Sequence, residues 1–535
     1  MLTVRQYEAQ VHVKAQSAEP TGPNVEYINA AIVVAYLVGM LAFGWWGKSR
    51  TKNESDYLVA GRRLGPLFYT GTMAAVVLGG ASTVGGVGLG YQYGISGMWL
   101  VVAIGAGVLL LSLLFASKLQ KLKIYTVSQM LSLRYGPGST RMSSVVMLAY
   151  TLMLCATSTG AYATIFVVLF GWDRWLAIAV GGAVVLIYST IGGMWSITLA
   201  DMAQFIIKTI GVFALMLPFT FANAGGIDGI RERVDAEFFS ITGIGAQSII
   251  TYFVVYTLGL LIGQDIWQRV FTARTPLIAR WGGTAAGVYC ILYGVAGALI
   301  GMAASVVLPA IESKDDVYAD VAMNILPVGL GGLVLAAAVA AMMSTASGSL
   351  IAAATVARTD VVPYVRSWFG GSKATGTDAP SAENPEHDVA RSQAWVLGLG
   401  VVTILLAIVV QDVVAALTIA YDILVGGLLV AILGGLFWKR GTGFGAAASM
   451  VAGTVATLST MIYLEITGDA PYDGVYANEP IYFGLIASAA VYFVVSLLTP
   501  RTDPAVMSAW EDRLAGRAQL DAADAGETVD ASRAQ

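Results

Sequence analysis

Long apolar runs constrain this sequence more than any other feature. A run of about 20 apolar residues crosses the hydrocarbon core of a bilayer as one helix. Only 12% of the 535 residues are charged, against about 25% in a typical soluble domain. The sequence therefore predicts an all-α polytopic membrane protein with about thirteen spans, at residues 27–47, 66–94, 96–117, 142–170, 175–193, 199–223, 248–267, 283–308, 329–356, 394–410, 413–437, 442–464 and 481–499.

The distribution of Lys and Arg over the connections predicts the orientation. Twenty-three of the 30 lie in one set of alternate connections and the C-terminal tail, six lie in the other set, and Lys208 lies within a span. Basic residues concentrate on the cytoplasmic side of membrane proteins. We therefore expect a cell-membrane protein with a polar extracytoplasmic leader (1–26), a cytoplasmic linker (358–391) and a cytoplasmic tail (500–535). The net charge of −4 offers no basic surface for a nucleic acid, so the expected partners are lipid and a solute.

Residues 78–90, LGGASTVGGVGLG, place six glycines inside an apolar span. Gly weakens a helix by about 1 kcal/mol per residue, and an interrupted helix at membrane depth is tolerated only where it lines a cavity or is buried in protein. The stretch predicts a broken helix whose free carbonyls lie beside Ser82 and Thr83. The alternative is a surface of small residues for close helix packing. A phosphate-binding loop is set aside because no Lys follows the glycine spacing and no strand precedes it.

A second cluster of small polar residues, AAMMSTASGS, interrupts the span 329–356. Ala341, Ser344 and Thr345 stand at positions i, i+3 and i+4 and therefore share one helix face. One carbonyl and two hydroxyls from this face, together with carbonyls of the broken helix, would form a neutral oxygen shell that suits Na⁺ better than a transition metal. The alternative is that the hydroxyls bond back to their own helix.

Three carboxylates fall within the spans or at their ends: Asp201, Asp265 and Asp422. A charge at such depth is a functional candidate, although Asp201 and Asp265 would also suit the cytoplasmic interface. Both histidines, His12 and His387, lie in polar segments, so no His within a span is available for a proton relay. We therefore expect Na⁺ as the coupling ion, with the proton as the alternative.

Several motifs occur in the order in which sodium:solute symporters have them. They are DYLVAGRRLGP at 56–66, the glycine-rich stretch, GGMWSITLADMAQ at 192–204, QDIWQRVFTAR at 264–274, AAMMSTASGSL at 340–350 and LGGLFWKRGTGFGA at 433–446. On these motifs the chain resembles the family of the bacterial proline and galactose symporters and the sodium/glucose transporters. The resemblance implies secondary active transport, with Na⁺-coupled symport of a small organic solute by alternating access.

The resemblance also implies a leucine-transporter-type core. This core has two inverted five-helix repeats, 66–223 and 248–437, after an additional helix at 27–47 and before two C-terminal helices within 442–499. The first helix of the second repeat carries Gly259 and Gly263, where a second break is expected.

The sodium site shared by the family joins the first and eighth helices of that core. Carried over to this sequence, its ligands are the carbonyls of Ala81, Val84 and Ala341 and the hydroxyls of Ser344 and Thr345. Asp201 matches an aspartate that contributes to a second ion site or to gating in some members.

The motifs leave the solute open among amino acids, sugars, carboxylates, urea-like compounds and quaternary ammonium compounds. Thr83 replaces an aspartate of the proline symporters, and Gly426 takes the place of a common proline. A membrane sensor or a channel is a weaker alternative, and an enzyme is not expected because no nucleophile has a base near it. The candidate solute-binding residues are Ser82, Thr83, Gln92, Tyr162, Gln264, Asp265, Tyr289, Tyr421 and Asp422.

Overall fold

The computed structural model describes residues 23–136, 140–311, 313–368, 385–410, 413–468 and 472–517. Helices account for nearly all of them. In chain order they are α1 Pro23–Arg50, α2 Glu54–Val59, α3 Pro66–Val77, α4 Gly86–Tyr93, α5 Trp99–Leu111, α6 Ser117–Lys121, α7 Val127–Tyr135, α8 Thr140–Phe170, α9 Arg174–Thr209, α10 Leu217–Asn223, α11 Gly226–Arg231, α12 Ala246–Tyr252, α13 Leu258–Ile262, α14 Gln264–Thr272, α15 Pro276–Val307, α16 Val317–Asn324, α17 Leu330–Val356, α18 Val362–Trp368, α19 Pro385–Val409, α20 Val413–Phe437, α21 Gly443–Thr467, α22 Asp473–Tyr476, α23 Glu479–Leu498 and α24 Pro504–Ala515.

Two of the predicted spans are broken, the first near its middle and the second near its C-terminal end. In the first break (residues 78–80), α3 ends at Val77, Leu78 leaves the helical region with φ −90° and ψ 76°, and the chain resumes as a π-helical turn at Ala81–Gly85 that leads into α4. The second break is at Gly263, whose ψ of 131° is extended, and the helices on its two sides are bent by 45°. The glycines therefore interrupt helices at membrane depth, as the sequence predicted.

Within the described residues, ten helical segments are long and apolar enough to cross a membrane, and the bent pair around Gly263 adds an eleventh. Two of these segments are too long for one crossing, since residues 81–121 and 174–223 contain 41 and 50 residues and a bilayer core needs about 20. The first contains Gly94 and the second Gly193, both with positive φ. The total of thirteen spans stays a prediction.

Helix α17 forms the centre of the bundle, and its membrane-length window is completely buried. It contacts α1, α3, α8, α9 and α19. Its middle is made of Ala, Ser, Thr, Gly and Met, and small residues allow helices in a membrane to approach closely. Helices α21 and α23 pack mainly on each other and on α20 at the periphery. The core is thus built around the helix that carries the AAMMSTASGS cluster.

The polar segments are partly helical. Helix α17 continues through a π-helical turn, Ala357–Val361, into α18, and α19 begins at Pro385. Residues 358–368 and 385–391 of the expected linker are therefore helical, and positions 369–384 lie outside the described residues. The tail contributes α24, which packs against α6 and α7. Most of the expected leader (1–26) and the end of the tail (518–535) also lie outside the described residues.

Gly193 allows the reversal between the two halves of residues 174–223. Its φ of 56° and ψ of −141° lie in a region that side chains strongly disfavour, and a Cβ atom there would lie 2.5 Å from the carbonyl oxygen of Tyr57. We expect Gly193→Ala to destabilise the protein by about 2 kcal/mol or more, measured as a lower thermal unfolding midpoint in detergent. Gly398→Ala is the matched control, because a Cβ there meets nothing within 4 Å; equal midpoints for the two variants would contradict this account.

Candidate functional site

A central cavity lies between the two breaks. It is lined by the end of α3 and the first break, by α5, α8, α13, α14, α17 and α20. Its polar lining consists of Ser82, Thr157, Ser158, Asp265, Thr345 and Tyr421. Cavities between broken helices at mid-membrane are where secondary transporters bind solute and ion. The two breaks therefore position one site.

Asp265 provides the negative charge of the central cavity. It stands in the first turn of α14, directly after the second break, and only 2% of the residue is exposed. Its carboxylate accepts a hydrogen bond of 2.9 Å from the hydroxyl of Tyr150 on α8. The ring of Tyr421 lies 5.6 Å from that of Tyr150. Asp265 and Tyr421 face the cavity, and Tyr150 contacts both of them.

The hydroxyls of Ser344 and Thr345 on α17 point at the end of α3. Ser344 Oγ lies 2.7 Å from the carbonyl oxygen of Ala75 and 2.8 Å from that of Ala341. Thr345 Oγ1 lies 2.6 Å from the carbonyl oxygen of Val76. These contacts bring together three of the predicted ion ligands, Ala341, Ser344 and Thr345.

The carbonyls that α17 reaches precede the first break. Those of Ala81 and Val84, which the sequence predicted as ion ligands, belong to the turn after the break. Ala81 lines the central cavity beside Thr345, but the hydroxyls of α17 are bonded to carbonyls of residues 75 and 76. The hydroxyls of Ser344 and Thr345 therefore contact carbonyls five to six residues before Ala81 in the chain, and Ala81 and Val84 as ion ligands stay a prediction.

Lys208 reaches the end of α3 from α9. Its side chain is completely buried, and its Nζ atom lies 2.9 Å from the carbonyl oxygen of Ala75 and 3.4 Å from that of Leu78. No group of three His, Cys, Asp or Glu side chains within the described residues is arranged to hold a metal ion. The groups that meet at the end of α3 are thus carbonyl and hydroxyl oxygens and one lysine.

Asp201 lies two turns before Lys208 on α9 and is paired with Arg269 of α14. Arg269 Nη2 lies 3.1 Å from Asp201 Oδ2, and both side chains are completely buried. Thr72 of α3 donates a short hydrogen bond to the same oxygen, whereas Asp201 Oδ1 has no partner among the described groups. Asp201 of α9 thus contacts both α3, which begins the first predicted repeat, and α14, which follows the second break.

The other predicted solute-binding residues lie in several places. Ser82, Asp265 and Tyr421 line the central cavity. Thr83 accepts a hydrogen bond from Tyr293 of α15, and Tyr289 bonds to Thr209.

The remaining candidates lie away from the cavity lining. Gln264 uses both amide atoms on the backbone of residues 125 and 127, Tyr162 packs on Phe166, and Gln92 is exposed at the end of α4. Asp422 is buried in α20, and its Oδ1 atom makes no hydrogen bond within the described part of the chain.

Two residues of the site were not predicted from the sequence. Tyr150 gave no signal, because one tyrosine in an apolar span is usual. Lys208 does give a signal, since a lysine inside a predicted span is a functional candidate by itself. From the sequence it is counted only as a basic residue within a span, and no function is assigned to it.

This fold, with two broken helices around a buried polar cavity and a fully buried helix beside it, defines a secondary active transporter. The sodium:solute symporter family model matches residues 57–453, and the chain belongs to this family. As a member it is a symporter that couples the movement of a small organic solute to that of Na⁺ by alternating access.

The relatives extend over most of the chain. The osmoregulated proline transporter OpuE of Bacillus subtilis is 27% identical over 87% of this chain and 94% of its own length. The sodium/proline symporter of Haemophilus influenzae is 24% identical over 89% and 95%, and the human sodium/myo-inositol cotransporter 2 is 25% identical over 89% and 76%. These relatives carry chemically different solutes.

A solved structure agrees with the fold. The chain superposes on a Na⁺-coupled sialic acid symporter with a TM-score of 0.71 and 18% identity, covering 89% of this chain and 99% of that one. At this identity the likeness concerns the fold alone, and it confirms the leucine-transporter-type core.

Proposed function

We propose that the solute is a small molecule with a positively charged nitrogen, of which an amino acid is the simplest example. The observation that carries this proposal is the carboxylate of Asp265, buried at the central cavity beside the second break. A buried carboxylate is costly unless a positive group compensates it. The ring of Tyr421, which lines the same cavity, would add cation–π attraction for the same group.

The cavity also suits an anionic or polar end of the solute. The hydroxyls of Ser82, Thr157 and Ser158 line it, and the chain resumes its helix there at Ala81 after the first break. The N-terminal end of a half-helix in a transporter carries free N–H groups and a positive dipole. A zwitterion would thus have its nitrogen at Asp265 and its carboxylate at the first break. Two of the relatives are named as proline transporters.

We propose that the coupling cation site is the oxygen cluster formed by Ala75, Leu78, Ala341, Ser344 and Thr345. Ser344 contacts the carbonyl oxygens of Ala75 and Ala341, and Thr345 contacts that of Ala341. Lys208 brings a positive charge to the carbonyl oxygens of Ala75 and Leu78, which supports this set. The carbonyls of Ala81 and Val84 stay a prediction from the resemblance. Inward movement of a cation contributes about 2.3 kcal/mol per charge per 100 mV of membrane potential, which is the work that concentrates the solute. Asp201 is proposed to act in gating through its ion pair with Arg269.

We propose that the protein lies in the cell membrane with its N-terminus outside and its C-terminus in the cytoplasm. The asymmetry of Lys and Arg supports this orientation. Contacts between connections agree with it: Arg358 is paired with Glu54 and Asp388 on the proposed cytoplasmic side. On the proposed outer side, Trp99 Nε1 lies 2.6 Å from the carbonyl oxygen of Ile241.

A panel of solutes tests the proposed class. The purified protein in detergent is heated with proline, choline, myo-inositol, glucose, acetate or urea, because a ligand of the folded state raises the unfolding midpoint. We expect stabilisation by compounds with a charged nitrogen, followed by uptake of the best one into proteoliposomes under a Na⁺ gradient. Stabilisation by myo-inositol, glucose, acetate or urea alone would contradict the proposed class. Uptake driven equally well by a proton gradient without Na⁺ would contradict Na⁺ coupling.

A further inference from the structure

The end of α3 offers carbonyls that its own helix does not use. Because α3 ends at Val77 and Leu78 is not helical, the carbonyls of the last turn lack the N–H groups of a following turn. Buried carbonyls need a partner from elsewhere. Ala75 and Leu78 are three residues apart, so both oxygens are available to one donor placed beside the break.

The donor that uses both carbonyls is the ammonium of Lys208. It lies 2.9 Å from the oxygen of Ala75 and 3.4 Å from that of Leu78. Ser344 Oγ shares the oxygen of Ala75 at 2.7 Å. The Nζ atom therefore occupies the oxygen cluster in which a coupling cation would bind.

A buried ammonium in this position is not explained by packing. Lys208 is completely buried, and its hydrogen bonds are to neutral carbonyls. The nearest acidic residue along α9, Asp201, is engaged with Arg269 and Thr72. Burial of a charge without a carboxylate partner is costly, and an apolar side chain of similar length would fill the same volume without that cost.

We propose that Lys208 is a tethered cation that occupies the site between α3 and α17, so that Na⁺ enters this site only when the ammonium is displaced. Two positive charges at one oxygen cluster repel each other strongly in a medium of low polarity, so the lysine and Na⁺ are alternative occupants. The ammonium ties α9 to the end of α3 at a carbonyl oxygen that Ser344 of α17 also contacts. The inference rests on the cation site proposed above and is independent of the solute class.

Lys208→Met tests this proposal without any solute. The purified variant and the original protein are heated in detergent with increasing NaCl, with KCl added to keep the ionic strength constant. In the variant we expect Na⁺, but not K⁺, to raise the unfolding midpoint. This rise should saturate at a NaCl concentration about tenfold or more below the concentration at which any Na⁺ response of the original protein saturates. Lys208→Gln, which keeps a polar side chain, is measured in parallel in case the methionine variant does not fold.

The site of the gained response is identified with Ser344→Ala. In the Lys208→Met background we expect this second change to abolish the gain, because it removes an oxygen of the cluster. In the original protein it should weaken any Na⁺ response as well, because Na⁺ would bind the same oxygens once the ammonium is displaced. Methionine and glutamine variants that fold but respond to Na⁺ no more strongly than the original protein would overturn the proposal. A gain that survives Ser344→Ala would overturn it as well.

Discussion

Asp265→Asn is expected to weaken solute binding by about 10-fold to 150-fold. The substitution keeps the size of the side chain and the hydrogen-bonding contact with Tyr150, but it removes the charge that faces the central cavity. A hydrogen bond to a charged group contributes about 1.5–3 kcal/mol, and about 1.4 kcal/mol corresponds to tenfold in affinity. The measurement is the KM of uptake in proteoliposomes, together with the solute-induced rise of the unfolding midpoint.

The matched control for this experiment is Asp228→Asn. Asp228 lies on the exposed helix α11 between the two predicted repeats, so its variant should transport as the original protein does. An Asp265→Asn protein with unchanged KM for a solute with a charged nitrogen would refute the proposed contact. It would leave the family and the fold unaffected, since these do not depend on the solute.

Arg269→Met is expected to lower the free energy of unfolding by about 3–5 kcal/mol. Arg269 and Asp201 are completely buried and 3.1 Å apart. Removal of one partner leaves an uncompensated charge in the protein interior, which costs far more than the intact pair contributes. The unfolding midpoint of the purified protein in detergent measures the loss, and solute uptake shows whether the remaining folded protein still transports.

Two further variants separate the ion pair from general disruption. Arg63→Met breaks the pair of Arg63 with Asp56, and the Arg63 side chain is 56% exposed, so we expect a change below about 1 kcal/mol. The double variant Asp201→Asn with Arg269→Met should recover part of the stability lost in Arg269→Met, because no unpaired charge is left. Additive losses in the double variant would show that the two side chains are not coupled.

The spans and the breaks could be predicted because they depend on local sequence. Apolar length decides whether a helix crosses a bilayer, and α20 begins and ends at the predicted residues 413 and 437. The glycines at 79 and 80 also indicate an interruption through the high cost of Gly in a helix. The reversal at Gly193 separates two predicted spans, 175–193 and 199–223, for the same reason.

The partners of the broken helix could not be predicted in the same way. Several carbonyls in and before the glycine-rich stretch could face another helix. Only the packing of α17 against α3 decides which of them contact the hydroxyls of Ser344 and Thr345. Ser344 and Thr345 contact the carbonyls of residues 75 and 76, and no local rule distinguishes these carbonyls from those of Ala81 and Val84. The same is true of side-chain direction: Tyr289 and Tyr421 are both aromatic residues of apolar spans, yet Tyr289 bonds to Thr209 and Tyr421 lines the cavity.

The complete burial of α17 has a consequence for how this protein can diversify. Every side of its middle is packed against another helix, so most substitutions there would disturb the scaffold. Thr345 is the part of α17 that faces the central cavity, whereas Thr157, Ser158, Leu417 and Tyr421 line it from α8 and α20. New solute preferences can therefore arise by exchange of a few residues on these two helices while α17 stays unchanged.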